Sequence, residues 1–261
     1  MSSGSQQRVL ITGASSGIGR ALALHYAQRG ARVACLARRG DLLEALAGEH
    51  NATLTGELIP YQIDVQDREQ LIAVVKQAEA RFGGLDVVIA NAGRGHSLDH
   101  RSDAPDLDGL EQTLRINYLA AITTLTTALP GMLQRGSGAL AGVSSVGAAR
   151  GLASSSGYTA SKSALANHLE AMRVELRGSG VSVSIISPGF VATPMVENLE
   201  GKLPFVVSPE RAAMLIARAI AAGKRDYAFP WQMRLLRRVM RAMPGFLFDR
   251  LSARAIGQKR L

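Results

Sequence analysis

Tyr158 and Lys162 stand four residues apart in the run YTASK, so on a helix they share one face. A phenol beside an ammonium is a phenol whose anion is stabilised, which draws its pKa down from about 10 toward neutrality. Ser145, upstream of Tyr158, adds a neutral hydroxyl able to hold a carbonyl oxygen. Together these groups could move a proton to or from an alcohol oxygen. Asn117 joins them for a different reason. It lies in RINYLA, inside a helical pattern, where asparagine is a poor helix former, so its presence implies a task beyond propensity.

A proton mover needs something to move the hydride, and the N-terminal stretch offers a place for it. The loop TGASSGIG, residues 12–19, lies between the apolar run VLIT and the helical pattern IGRALALHYAQ. Gly13, Gly17 and Gly19 let the backbone come close to a pyrophosphate that faces the helix N-terminus, and Ser15 and Ser16 add hydroxyl donors. The second β-rich run ends at Ala37. An acid there would accept from a ribose 2′-hydroxyl and select NAD. Instead Arg38 and Arg39 follow, guanidinium forks suited to a 2′-phosphate, so NADP(H) is the expected cofactor.

The elements that must position these residues can be read from hydrophobic runs. Strands are expected at 8–12, 32–37, 57–64, 85–91, 139–143, 181–186 and 226–229. Helices are expected at 18–29, 42–50, 68–82, within 107–134, at 157–177 and at 209–222. This alternation predicts an α/β fold, a single doubly wound parallel sheet of Rossmann type with helices on both faces. Ligands then bind beyond the carboxyl ends of the strands, where the motifs fall.

Seven stretches in order resemble the short-chain dehydrogenase/reductase family, over residues 8–230. They are TGASSGIG (12–19), DV (64–65), NAG (91–93), Asn117, Ser145, YTASK (158–162) and PGFVATP (188–194). One departure is Ala90, where many members have a second asparagine. The resemblance implies Tyr158 as general acid or base and Ser145 as carbonyl holder. It also implies that Lys162 lowers the tyrosine pKa and bonds the nicotinamide ribose, and that Asn117 holds a water linking Lys162 to solvent. Cofactor contacts are implied for Ile18, Asp64 (adenine amino group), Val65, Asn91, Ala92 and Gly93 (adenosine side), and for Pro188, Gly189, Val191 and Thr193 (nicotinamide side). It places a lid at 194–207 whose Met195, Val196, Leu199, Leu203, Phe205 and Val206 favour a lipophilic ketone or alcohol. Members usually dimerise through the helices at 107–134 and 157–177, and many add a tetramer contact at the last strand. The tail here follows that strand and would obstruct it, so a homodimer is expected.

Charge is unevenly spread. The chain of 261 residues carries a net +9, yet residues 224–261 hold 10 basic and 2 acidic side chains, a net of +8. The excess therefore belongs to an appendage and not to the body. We divide the chain into a catalytic domain, 1–230, and a basic amphipathic extension, 231–261. On a helical wheel Trp231, Leu235, Leu236, Val239, Ala242 and Met243 occupy one arc, and Arg234, Arg237, Arg238 and Arg241 the other. Pro244-Gly245 breaks the helix, and Phe246, Leu247, Phe248 and Leu251 resume an apolar face. Such a segment suits either the interface of an anionic membrane or packing against protein. It resembles the C-terminal extensions of membrane-associated steroid and lipid reductases of the same family, which implies peripheral membrane contact.

The single cysteine, Cys35, reads as a core residue on a strand, and His96 and His100 read as loop surface; no metal site is expected. MSSGSQQ has neither a basic start nor an apolar run, and the uncharged runs at 116–134 and 178–196 are interrupted by polar residues, glycine or proline. The expectation is a cytoplasmic NADPH-dependent oxidoreductase acting on a lipophilic carbonyl or secondary alcohol. The alternative is a non-catalytic NADPH-binding regulator on the same fold. Nucleic acid binding would rest on tail charge alone and is not expected.

Overall fold

The first strand shows why the sheet is covered on both faces. In β1 (Arg8–Thr12) Val9 and Ile11 point one way and Leu10 the other, and all three are buried. Strands apolar on both sides need helices on both sides. The computed structural model describes residues 6–100, 102–153, 155–197 and 203–257. β1 joins β2 (Arg32–Ala37), β3 (Glu57–Gln62), β4 (Val87–Ala90), β5 (Gly138–Val143), β6 (Val181–Pro188) and β7 (Asp226–Phe229) in one sheet, ordered β3-β2-β1-β4-β5-β6-β7. Every pairing is parallel. The order reverses between β1 and β4, which is where a crevice opens in sheets of this kind.

Helices α1 (Gly17–Ala27), α2 (Gly40–His50) and α8 (Pro209–Ala221) pack with Val9 and Ile11. Helices α3 (Arg68–Phe82), α5 (Ala121–Arg135) and α6 (Ser156–Glu175) pack with Leu10. Their ends are closed locally: Asp67 accepts from the Gln70 N–H at the start of α3, and Gly83 takes the left-handed conformation at its end. Cys35 is buried on β2, and burial pushes its thiol up to about 12.

Three of the departures from the expected boundaries have a local reason. β3 stops at Gln62, so Asp64 lies in a turn where its carboxylate accepts from the Gln66 N–H. β6 runs on to Pro188 because β7 extends beside it, Pro188 facing Phe229. The helix expected within 107–134 is three pieces: α4 (Leu107–Leu114), a π-helical segment (Arg115–Ala120) and α5. The whole run 107–135 is long and apolar enough to cross a membrane, but it buries Thr113, Ile116, Ala120, Leu125 and Ala128 and so packs as a core helix.

The tail folds as α9 (Trp231–Ala242) and α10 (Gly245–Gly257), broken at Pro244 as expected. Its orientation is the surprise. α9 turns Met233 and Arg237 inward, and Arg237 is only 6% exposed. Arg237 therefore does not share the solvated arc of Arg234, Arg238 and Arg241. Asp226 at the start of β7 explains this, because its Oδ1 lies 2.6 Å from Arg237 Nη1 and partners the buried charge. Met233 packs with Val146 and Ala228 beside Phe190. Trp231, Leu235, Leu236 and Val239 are left facing outward. Leu199 of the expected lid, and residues 258–261 of the expected extension, lie outside the described residues.

Candidate active site

A cleft of about 620 Å³ runs across the carboxyl ends of the strands. It is lined by Gly13, Ser15, Ser16, Gly17, Ile18, Arg38, Arg39, Asp64, Val65, Asn91, Ala92 and Gly93. Ser145, Tyr158, Lys162, Pro188, Gly189, Val191 and Thr193 complete the expected set. Gly19 and Asn117 are the two expected residues that stand behind its wall.

The glycine loop is shaped to receive an anion. Gly13 and Gly17 have φ of 70° and 53°, in the region that favours glycine. A Cβ at Gly19 would collide with the Gly13 carbonyl, so its task is close packing of loop on helix. Ser16 precedes α1 without capping it, and the first turn of α1 carries no acidic residue. The leading N–H groups and the positive end of the helix dipole thus remain for a ligand phosphate. Asn91 ties this loop to β4: its Nδ2 donates to the Thr12 carbonyl at 3.0 Å, and Thr12 Oγ1 accepts from the Asn91 and Ala92 N–H groups. Beyond the loop, Arg39 Nη2 donates to Ser15 Oγ at 3.0 Å and Ser16 Oγ at 2.7 Å. Arg38 Nη1 lies 3.9 Å from Asp64 Oδ2, both groups largely in solvent. Two guanidinium groups therefore stand at one end of the cleft.

At the other end are Ser145, Tyr158 and Lys162. Ser145 follows β5 and begins a 3₁₀ turn (Val146–Ala149), its Oγ accepting from the Gly147 N–H. Ser163 on α6 donates to the Ala148 carbonyl, which latches that turn to the helix bearing Tyr158. Ser145 and Tyr158 line the cleft together, and the Ser145 hydroxyl is near enough to act on the phenol. One turn on, Lys162 is buried and its Nζ donates to the Val143 carbonyl at 2.7 Å.

The pKa pattern departs from the expected one. Burial pushes the Tyr158 phenol up, with the Ser145 hydrogen bond pulling the other way, so the phenol is not drawn toward neutrality. Burial pulls Lys162 down to about 8. The reason is desolvation, which disfavours the charged form of both groups. The resting pair is thus a protonated phenol above an ammonium poised close to neutral pH.

Asn117 sits in the π-helical segment and is fully buried. Its Nδ2 donates to the Arg94 carbonyl and to Ser161 Oγ, and its Oδ1 accepts from the Arg94 N–H. Most of its capacity therefore anchors the 94 backbone to α6. A Cβ on Gly93 would lie 3.2 Å from both Asn117 Oδ1 and Lys162 Nζ, so both atoms border one point that Gly93 leaves clear. π-Helical turns concentrate at functional sites, where they re-aim a side chain.

Sequence reasoning missed Arg94 and Gln112, which line the cleft and hydrogen-bond to each other. The position of Arg94 directly after NAG was the available signal. His96 was misplaced as surface. Its side chain is 4% exposed, wedged against Gly157, where a Cβ would lie 2.9 Å from His96 Cδ2. Its Nδ1 faces Asp106 at 3.7 Å, an acid that also caps α4 and thereby gives the ring a buried seat. His100 is exposed as expected, its Nε2 3.2 Å from Ser156 Oγ.

Comparison with known proteins points to one family. A sequence model described as short chain dehydrogenase matches residues 7–203. An uncharacterized oxidoreductase of Myxococcus xanthus is 38% identical over 252 residues, covering 96% of this chain and 98% of that protein. The ketoacyl reductase HetN of a Nostoc species is 35% identical, over 81% of this chain and 74% of its own length. The 3-oxoacyl-[acyl-carrier-protein] reductase of Thermotoga maritima is 34% identical, over 74% of this chain and 77% of its own. Among solved structures, an alcohol dehydrogenase from Thermococcus sibiricus complexed with 5-hydroxy-NADP superposes with a TM-score of 0.76. It is 26% identical and covers 86% of this chain and 96% of that one. A short-chain type dehydrogenase/reductase from Mycobacterium marinum gives 0.78 at 30% identity, over 86% and 94%. Fold, ordered motifs and whole-length relatives therefore agree: this chain is an oxidoreductase belonging to the short-chain dehydrogenase/reductase family, whose members bind a nicotinamide cofactor.

Proposed function

We propose that the protein is an NADPH-dependent reductase of lipophilic ketones, or equivalently a dehydrogenase of the matching secondary alcohols. The observation that carries this reading is one cleft with Arg38 and Arg39 at one end and Ser145, Tyr158 and Lys162 at the other. The bare N-terminus of α1 and its glycines suit a pyrophosphate between them. Arg38 and Arg39 suit a ribose 2′-phosphate, and a solved neighbour carries a hydroxy-NADP. When bound, a nicotinamide cofactor would supply or accept the hydride.

The chain's own residues supply the rest. Ser145 would hold the carbonyl oxygen, and Tyr158, protonated at rest, would donate its proton to that oxygen as negative charge develops there. Lys162 beneath it would stabilise the phenolate left behind. Asn117 Oδ1 and Lys162 Nζ, converging above Gly93, would return the proton through a relay. Met195 and Val196 on the cleft wall and exposed Phe205 and Val206 beyond it support an apolar substrate. So do relatives named for ketoacyl and fatty acyl-CoA reduction.

Residues 1–230 form the catalytic unit in this reading, and 231–261 an extension whose outward apolar arc and arginines support contact with an anionic membrane from the cytoplasmic side. Exposed Leu107, Leu119, Leu133 and Val174 on α4, the π-helical segment, α5 and α6 support a dimer, which light scattering would detect. The central test is NADPH oxidation with a panel of acyl, steroid, sphingoid and aromatic ketones. Turnover should appear with an apolar member, and Arg38→Ala should lower the NADPH/NADH ratio of kcat/KM about tenfold or more. An unchanged ratio would reject the cofactor assignment.

A further inference from the structure

The tail is built onto the catalytic residues themselves. Met233 packs on Val146, the residue after Ser145, and on Gly189, where a Cβ would lie 2.6 Å from Met233 Cγ. Arg150, at the end of the same 3₁₀ turn, donates Nη1 to the Met243 carbonyl at 2.9 Å and stacks on the Phe248 ring at 4.4 Å. α9 and α10 are thus fastened to the strand ends that carry the substrate side of the cleft. Their other face is unpartnered. Trp231 is 66% exposed and Phe246 77%, and Leu235, Leu236, Val239, Leu247 and Leu251 are exposed as well. Arg234, Arg238 and Arg241 flank this arc, and Asp249 is the one acid within α9 and α10.

We infer that α9 and α10 form a docking platform for an anionic lipid surface, seating the cleft mouth on the bilayer so that an apolar ketone enters from the lipid. This deepens the proposed reductase reading and rests on it for the substrate. Three observations favour lipid over a protein partner. The apolar surface is carried by two helices that project side chains, with tryptophan and phenylalanine among the most exposed, as an interfacial helix requires. The charge beside it is mostly positive, Asp249 being the exception, and so complementary to acidic headgroups. Val207, next to exposed Phe205 and Val206, donates its N–H to the Phe190 carbonyl, and Phe190 packs on the cluster of Met233 from α9. The platform and the 205–207 edge of the cleft therefore adjoin. Arg237–Asp226 and Arg150–Phe248 hold the platform rigid against the site, so that docking orients the enzyme.

The test uses the full chain with vesicles of phosphatidylcholine alone or with one quarter phosphatidylserine, and two ketones, one short and water-soluble, one long-chained and partitioned into lipid. Wild-type protein should co-sediment with the anionic vesicles at low salt, less as salt rises, and weakly with neutral ones. Anionic vesicles should raise turnover of the long-chain ketone severalfold and leave the short one unchanged. Leu235→Glu with Val239→Glu should abolish binding and that stimulation while short-ketone turnover persists. Replacing Arg234, Arg238 and Arg241 by glutamine should weaken binding about fivefold per residue without disturbing any buried contact. The inference is overturned if wild type ignores anionic vesicles at low salt, or if neither variant weakens binding. It is equally overturned if the glutamate variant changes sedimentation velocity, which would make the arc a protein interface. Binding without stimulation of the long-chain ketone would remove the loading role. Vesicle binding with no turnover of either ketone would reject the reductase reading and leave the platform standing.

Discussion

Two helices of this protein each bury a cation, and they do it in opposite ways. On α6, Lys162 is 4% exposed and rests on a neutral carbonyl, that of Val143. On α9, Arg237 is buried as deeply but meets the carboxylate of Asp226 at 2.6 Å. Burial pulls Lys162 down to about 8, whereas the arginine has its counter-charge. A buried cation with a carboxylate has its charge met, even though Arg237 Nε is left without a partner, and serves to hold elements together. One left on a carbonyl is costly to the fold, and its charge is available to whatever develops negative charge nearby. In the function proposed above, the group that would develop that charge is the phenol of Tyr158, one turn earlier on α6.

The sharpest way to break the comparison is to remove the group that Lys162 serves. Tyr158→Phe should cost roughly 10²–10⁴-fold in turnover with an unchanged far-ultraviolet spectrum and melting point. Wild-type turnover in that variant would strip Lys162 of its task. Lys162→Met should also lose most activity, yet keep or gain stability in urea melts, since it deletes a desolvated charge. Arg237→Met should show the reverse. It should retain turnover of a soluble ketone at 25 °C, but give up the bond to the solvent-exposed Asp226 that fastens α9 to β7 and lose roughly 1 kcal/mol of stability. Thermal melts should drop by a few degrees per kcal/mol for a chain of this size. If the two variants behaved alike, the distinction between working and structural cations would fail here.

The smallest effect concerns pH. Lys162 titrates near 8 in the folded chain and at about 10.4 in the unfolded one. Between those values the unfolded state binds the extra proton, so this residue makes stability rise with pH across that window. Lys162→Met should flatten the rise. Activity should run the other way for reduction. As pH passes about 8 the ammonium is lost while the raised Tyr158 phenol stays protonated, so phenolate formation loses its support and kcat falls. The oxidative direction needs the phenolate and should have its optimum at higher pH. Rate profiles in both directions, fitted separately for each variant, check the signs.

Most of the sheet was legible because its strands are short continuous apolar runs separated by glycine-rich or polar turns, a pattern that survives without tertiary context. The cleft was legible because its residues fall at the strand ends, where topology alone assembles them. What escaped was set by distant partners. Nothing in the spacing of α9 reveals that Arg237 goes inward, since the carboxylate receiving it belongs to β7. His96 lies in a polar stretch, and only the packing of Asp106 and Gly157 around it makes a buried seat. The Tyr158 phenol was expected lower than the structure has it, because pairing can be read from sequence while desolvation cannot.

The π-helical segment Arg115–Ala120 has a bearing on redesign. Such a segment is equivalent to one residue too many in an otherwise regular helix. Deleting one residue there would restore regular i to i−4 bonding and satisfy any criterion that rewards ideal backbones. It would also turn α4 by about 100° relative to α5, carrying Asn117 away from Arg94 and Ser161. Thermostabilisation by helix regularisation would therefore select against the very irregularity that holds Asn117 between Arg94 and Ser161, yielding a sturdier protein that has lost that anchor. Conserving residue count between Leu114 and Ala121, more than residue identity, is the constraint an engineer should impose.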